Sequence, residues 1–178
     1  MKLVTKAAAV MAGQSYRKAV LIEGVKIVQI NKFLTEDGAF NEVVRLDKGR
    51  LVSPVELKDF PVAQINHALM VPGAVKAWHL HLKQDEIWFV EPEGCLLVGL
   101  LDVREESPSS SLIMRLVLGR GQASLLYIPR GVAHGAANLY EKPAAVTYLA
   151  NNHFEGSDEK RLPPDFGVEK NFWQLRKE

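Results

Sequence analysis

Two histidines one residue apart, in Trp78-His79-Leu80-His81, are followed by Glu86 and, further along the chain, by Pro129-Arg130-Gly131-Val132-Ala133-His134. In a β-strand, residues i and i+2 point to the same face, so His79 and His81 share one side of a sheet. Two imidazoles side by side in an apolar interior either bind a metal or move protons. An imidazole whose lone pair is on a metal cannot also be a base. For His79 the two uses exclude one another.

The elements that must position these residues read as strands. Leu80 and Leu82 flank the histidines and Ile87-Trp88-Phe89-Val90 follows, as in a strand pair closing over an apolar core. Two strand-like runs come earlier, 25–30 and 40–45, with the turn Glu36-Asp37-Gly38 before the second. Others follow at 62–70, 75–82, 86–91, 95–103, 112–118, 123–128 and 144–150, separated by turn-rich segments such as Val71-Pro72-Gly73 and Gly119-Arg120-Gly121. Many short strands without helical crossovers exclude a doubly wound sheet and predict an all-β sandwich or barrel. Helix is expected only in 5–18 and 167–177. The chain divides into an N-terminal arm (1–23), one barrel domain (24–155) and a charged C-terminal tail (156–178) that Phe172-Trp173 would pin to the barrel.

Bulk properties narrow the function classes. The 178 residues are 47% hydrophobic and 24% charged, with a net charge of +1. That composition is globular, and it gives no electrostatic footprint for nucleic acid or an anionic membrane. No apolar run is long enough for a transmembrane helix. Residues 1–13 loosely resemble a signal peptide, but Lys6 interrupts the apolar stretch, so a docking helix or arm is expected. Cys95 is the only cysteine, which excludes an internal disulfide and reads as a buried, inert thiol in a reducing compartment; the expected location is the cytoplasm.

The pattern from Gly73 through His79, His81 and Glu86 to Gly94, followed by Pro129, Gly131, His134 and Asn138, resembles the two motifs of the cupin superfamily. That likeness implies a double-stranded β-helix, the jelly-roll barrel. In metal-binding cupins the matching His79, His81, Glu86 and His134 would be ligands, suited to Fe(II), Mn(II), Ni(II) or Zn(II).

A second resemblance covers roughly residues 24–165. Gln64 to His79 is similar, without gaps, to the segment ending Arg-Gly-Leu-His in the dTDP-4-dehydrorhamnose 3,5-epimerase family. Asp37-Gly38-Ala39-Phe40-Asn41-Glu42 resembles its Arg-Gly-x-Phe-x-Glu. Asp102-Val103-Arg104 with Ser107-Pro108 resembles its Asp-x-Arg-x-x-Ser-Pro, and Ile128-Pro129-Arg130-Gly131-Val132-Ala133-His134-Gly135 its Ile-Pro-x-Gly-Phe-Ala-His-Gly. Val146-Thr147-Tyr148 matches the strand that carries its tyrosine. This family has the same jelly roll and uses no metal or other cofactor.

The resemblance implies an isomerase (a carbohydrate epimerase, EC 5.1.3-like) acting on a nucleotide-linked 4-keto-6-deoxyhexose. His79 would be the base and Tyr148 the acid on the opposite face. Asp165 would be the carboxylate that orients His79. Gln64, Asn66, Lys76 and His134 would bind substrate, and Phe40 and Glu42 would form an arm reaching into a neighbouring subunit, making a homodimer. The chain also departs from the family. Lys76 stands for an arginine, Glu86 for a lysine near the reacting carbon, and Asp37 for an arginine of the arm; Asp165 fits only with a gap. Loss of cations where a sugar diphosphate should bind, with the gain of His81 and Glu86, keeps two alternatives open: a metal-dependent cupin (dioxygenase or isomerase) and a non-catalytic sugar-binding barrel. His67 and His153, which have no partner pattern, are expected on the surface or rim. Trp78 and Trp88 are expected in the core, one of them near the barrel mouth.

Overall fold

The computed structural model describes residues 3–11 and 20–176. In chain order the elements are α1 (Thr5–Val10), β1 (Lys26–Gln29), β2 (Phe33–Thr35), β3 (Gly38–Phe40), β4 (Arg45–Asp47), β5 (Arg50–Ser53), β6 (Gln64–Met70), β7 (Val75–Leu80), β8 (Glu86–Phe89), β9 (Cys95–Asp102), β10 (Ile113–Gly119), β11 (Ser124–Ile128), β12 (Val132–Ala137), β13 (Ala144–Ala150) and β14 (Lys160–Arg161). One sheet has the order β1-β11-β8-β13-β6 and the facing sheet the order β10-β9-β12-β7-β14. Neighbouring strands are antiparallel throughout. This is the expected jelly roll, with two small hairpins, β2–β3 and β4–β5, added outside it.

Apolar residues pack in three places rather than one. Trp88, Val98, Leu100, Leu126, Ile128, Val132 and Val146 come from both sheets and fill the space between them. The outer face of the first sheet presents Ile87, Phe89, Leu125 and Leu149, which pack under Leu51, Leu57 and Phe60 of the β4–β5 region. The outer face of the second presents Trp78, Leu101 and Ala133, covered by Phe172 and Trp173 of the tail. Strands buried on both faces lose their alternation, so β8 and the run Leu96 to Asp102 of β9 are buried at every position. Each fully buried Leu or Ile on these faces contributes about 2 kcal/mol.

Three expectations need correction. The run 40–45 is not one strand: β3 ends at Phe40 and β4 begins at Arg45. Residues 167–176 form turns rather than helix, and α1 covers only Thr5–Val10, while 12–18 and 177 lie outside the described residues. β12, Val132–Ala137, is a central buried strand that its small residues hid. Those residues serve close approach: a Cβ on Gly135 would lie 2.5 Å from the Cβ of Ala77 on β7.

Candidate active site

Between the sheets, open at one end, lies a cavity of about 440 Å3. The edge strand β6 supplies one wall by simple alternation: Gln64, Asn66, Ala68 and Met70 face in, while Ile65, His67 and Leu69 face solvent. β8 contributes Glu86 and Trp88, and β13 contributes Val146 and Tyr148. Tyr148 is in register with Asn66 on one side and Trp88 on the other.

The opposite wall is built by β7 and β12, where His134 is in register with His79 and Ala136 with Lys76. That offset is a β-bulge, which breaks the two-residue period of β7. It lets Lys76 and His79, three positions apart, both line the cavity, while Trp78 turns outward beneath the tail. His81 lines the cavity with His79, as their spacing requires.

The loop into β12 is fixed by Gly131, whose φ of 77° favours glycine and whose added Cβ would lie 2.6 Å from Cγ of Arg104. Beside it, buried Asp102 accepts from Arg104 Nε at 2.8 Å, Ser107 Oγ at 2.6 Å and Ser109 Oγ at 2.7 Å. Burial alone would raise the Asp102 pKa, but these donors hold it well below the usual carboxylate range. Arg130, next to Gly131, forks onto Asp85 with Nε at 3.0 Å and Nη2 at 2.9 Å. The Asp-x-Arg and Pro-x-Gly islands are therefore scaffold: they clamp the loop that delivers His134.

At the centre, Arg161 Nη1 is 2.8 Å from Nε2 of His79. A guanidinium only donates, so Nε2 is the acceptor and carries the lone pair. Nδ1 then holds the proton and points to Oε1 of Glu159 at 3.3 Å. Arg161 also pairs with Glu159 at 2.5 Å. Burial, then the neighbouring His134 and Arg161, lower the His79 pKa to about 4 against the pull of Glu159 and Glu86, so the ring is neutral at pH 7. Burial likewise lowers the pKa of His134. The phenol of Tyr148 is pushed up by burial and by the charges of Glu86 and Glu159, so it keeps its proton. A neutral imidazole on one sheet and a protonated phenol on the other thus set a proton acceptor and a proton donor on facing walls, an arrangement suited to acid–base chemistry.

Of the residues singled out from sequence, Gln64, Asn66, Lys76, His79, His81, Glu86, His134 and Tyr148 all line this cavity. Asp165 does not: it is exposed in the turn after β14, and Glu159 stands beside His79 in its place. Phe40 and Glu42 also lie elsewhere. Phe40 is 60% exposed on the β2–β3 hairpin, stacked on Phe33, and Glu42 pairs with Arg45. Among the described residues, His81, Glu86 and His134 form a group that could hold a metal ion, and His79 is not part of it. Sequence reading missed Glu159 and Arg161. Their one signal was the i, i+2 spacing of Glu159 and Arg161; Arg161 lies on the two-residue strand β14, in register with His79. Of the two tryptophans, Trp88 is the one that lines the cavity. His67 and His153 are exposed, and Cys95 is half-buried rather than buried.

Comparison with known proteins gives a consistent result. A family model described as dTDP-4-dehydrorhamnose 3,5-epimerase matches residues 19–169. The spore coat polysaccharide biosynthesis protein SpsL of Bacillus subtilis is 35% identical over 147 residues, 82% of this chain and 91% of that protein. The probable low-salt glycan biosynthesis epimerase Agl13 of Haloferax volcanii is 34% identical over 109 residues, 60% of this chain and 70% of that one. The crystal structure of a dTDP sugar isomerase from Desulfovibrio desulfuricans superposes with a TM-score of 0.71 at 29% identity, covering 89% of this chain and 94% of its own.

Proposed function

Because this chain belongs to the dTDP-4-dehydrorhamnose 3,5-epimerase family, we propose that it epimerises a nucleotide-linked 4-keto-6-deoxyhexose at a carbon next to the ketone. Nε2 of His79 takes the proton from that carbon, and the C–H electron pair moves into an enolate. Tyr148 then delivers its hydroxyl proton to the opposite face of the same carbon, which inverts the centre. Exchange with solvent returns a proton to the phenolate and removes the one on His79.

The observation that carries this reading is the polarised state of His79, with Nδ1–H on Glu159 and the lone pair on Nε2. An imidazole is a weak base toward a carbon acid, so the step depends on a fixed tautomer and on groups that stabilise the enolate oxygen. Glu159 supplies the first of these. Lys76 and Arg161, the cations lining the cavity among the described residues, are suited to the diphosphate of the nucleotide. The proton transfers themselves use these side chains and no cofactor.

The exposed hairpin carrying Phe40 completes the site of a second copy in a homodimer, an arm that one chain alone leaves in solvent. The described residues include no helix long and apolar enough to cross a membrane, and the reading places the enzyme in the cytoplasm. The test is incubation with dTDP-4-keto-6-deoxyglucose in deuterium oxide, followed by NMR. Uptake of deuterium at C3 or C5 is expected, and a correctly folded protein that gives none would overturn the assignment.

A further inference from the structure

Behind His79, three buried side chains converge: His81, Glu86 and His134. His134 Nδ1 lies 3.0 Å from the backbone oxygen of Val132, a contact that requires the proton on Nδ1 and leaves Nε2 a lone pair. That Nε2 faces Glu86 Oε2 at 3.5 Å. His81 turns Nδ1 toward Asp158 Oδ2, 3.6 Å away, and its Nε2 toward Glu86 Oε1 at 3.4 Å. Both imidazole Nε2 atoms thus face one buried carboxylate. The His134 lone pair and the carboxylate oxygen it faces are both acceptors, an arrangement that repels unless a cation lies between them.

From this convergence we infer that His81, Glu86 and His134 bind a divalent transition-metal ion, with His79 left free. The three donor atoms lie within 4.8 Å of one another. Metal–ligand bonds of about 2.1 Å in a tetrahedral shell hold ligand atoms about 3.4 Å apart, close to both histidine–Glu86 separations. The surroundings already orient the ligands as the second shell of a metal site does. One imidazole is held by a backbone carbonyl and the other faces Asp158. The Glu86 carboxylate accepts from Gln84 Nε2 at 2.8 Å and Trp88 Nε1 at 2.6 Å. Asp158 is itself fixed by the backbone N–H groups of Leu82 and Lys83. Two imidazoles and one carboxylate leave coordination positions open, and all three ligands line the substrate cavity.

Bound there, the ion would also add a positive charge to the cavity that His79 lines. An enolate oxygen forming in the cavity would meet a cation there. This catalytic use rests on the proposed epimerisation; the binding site does not. His79 is not a ligand, so a base and a metal coexist in one cavity.

The full chain, purified without chelator or affinity metal, is equilibrated with Zn(II) or Co(II), desalted and measured for metal content and visible absorption. One ion per chain is expected, with the d–d bands of low-coordinate Co(II). His79→Ala keeps the ion, whereas Glu86→Gln and the His81→Ala/His134→Ala pair lose it, their fold being checked by circular dichroism. Wild-type protein that retains no ion overturns the site, and so does loss of the ion from His79→Ala with retention in Glu86→Gln. Metal bound without deuterium exchange on the keto sugar leaves the site standing and overturns only the epimerase reading. Exchange at an unchanged rate after the ion is stripped overturns its catalytic use.

Discussion

The guanidinium of Arg161 donates to Nε2 of His79 at 2.8 Å, the ring atom that must be free to take a substrate proton. Arg161 lies on the two-residue strand β14, and its side chain is 59% exposed, so it can leave the histidine without disturbing the core. An arriving diphosphate gives that cation a stronger partner and uncovers the base. Arg161→Ala should therefore raise KM for the nucleotide sugar by about 10- to 100-fold, the range for a hydrogen bond to a charged group, with a smaller effect on kcat. Steady-state kinetics check this. A fall in kcat at constant KM would instead place Arg161 in the chemical step.

Glu159, not Asp165, stands beside Nδ1 of His79, the place that an orienting carboxylate would take in the proposed reaction. Glu159→Ala should slow deuterium exchange by about 100-fold or more, whereas Asp165→Asn should leave it within about twofold, as expected for an exposed residue outside the cavity. Parallel exchange assays on the two variants settle the assignment. A large loss with Asp165→Asn and none with Glu159→Ala would reverse it.

The contrast between those two carboxylates marks where sequence reading stops. The shared face of His79 and His81 was legible from their two-residue spacing, whereas Gln64, Asn66 and Tyr148 came through the family resemblance. Lys76 shares the cavity only through the β7 bulge, and a bulge leaves no local signature in this sequence. Glu159 and Arg161 were harder still, because a single i, i+2 pair at a two-residue strand set by pairing with β7 is too short a pattern to read. The all-β class was clear from turn spacing. Burial of β8 and β9 on both faces was not, since it depends on a hairpin and a tail distant in sequence.

Asp102 should govern part of the acid stability. Its folded-state pKa is depressed, so its contribution is fully present above the unfolded-state value of about 3.9 and is lost as pH falls toward the folded value. Asp102→Asn should cost about 3 kcal/mol at pH 7, the cost of stranding Arg104 and the serines. The gap to wild type should narrow as pH drops from about 5 to 2. Urea denaturation at neutral and acidic pH measures both. A gap that stays constant with pH would refute the linkage.

The β2–β3 hairpin predicts assembly. Phe33 is 54% exposed and Phe40 60% exposed, stacked 6.4 Å apart on an arm outside the barrel. Sedimentation should report two chains per particle. Phe40→Ala should cut kcat/KM by about 10-fold, roughly one buried aromatic contact's worth, while the unfolding of the barrel stays unchanged. A monomer with full activity would contradict the arm's role.

In the proposed reaction His79 and Tyr148 act on opposite faces of one carbon. The most direct measurement follows deuterium incorporation and configuration together, by NMR, in wild type, His79→Ala and Tyr148→Phe. Exchange with inversion is expected in wild type and no exchange in His79→Ala. In Tyr148→Phe exchange with the original configuration retained is expected, because the base still works and the opposite-face donor is gone. Inverted product from Tyr148→Phe, or exchange surviving in His79→Ala, would contradict the proposed reaction.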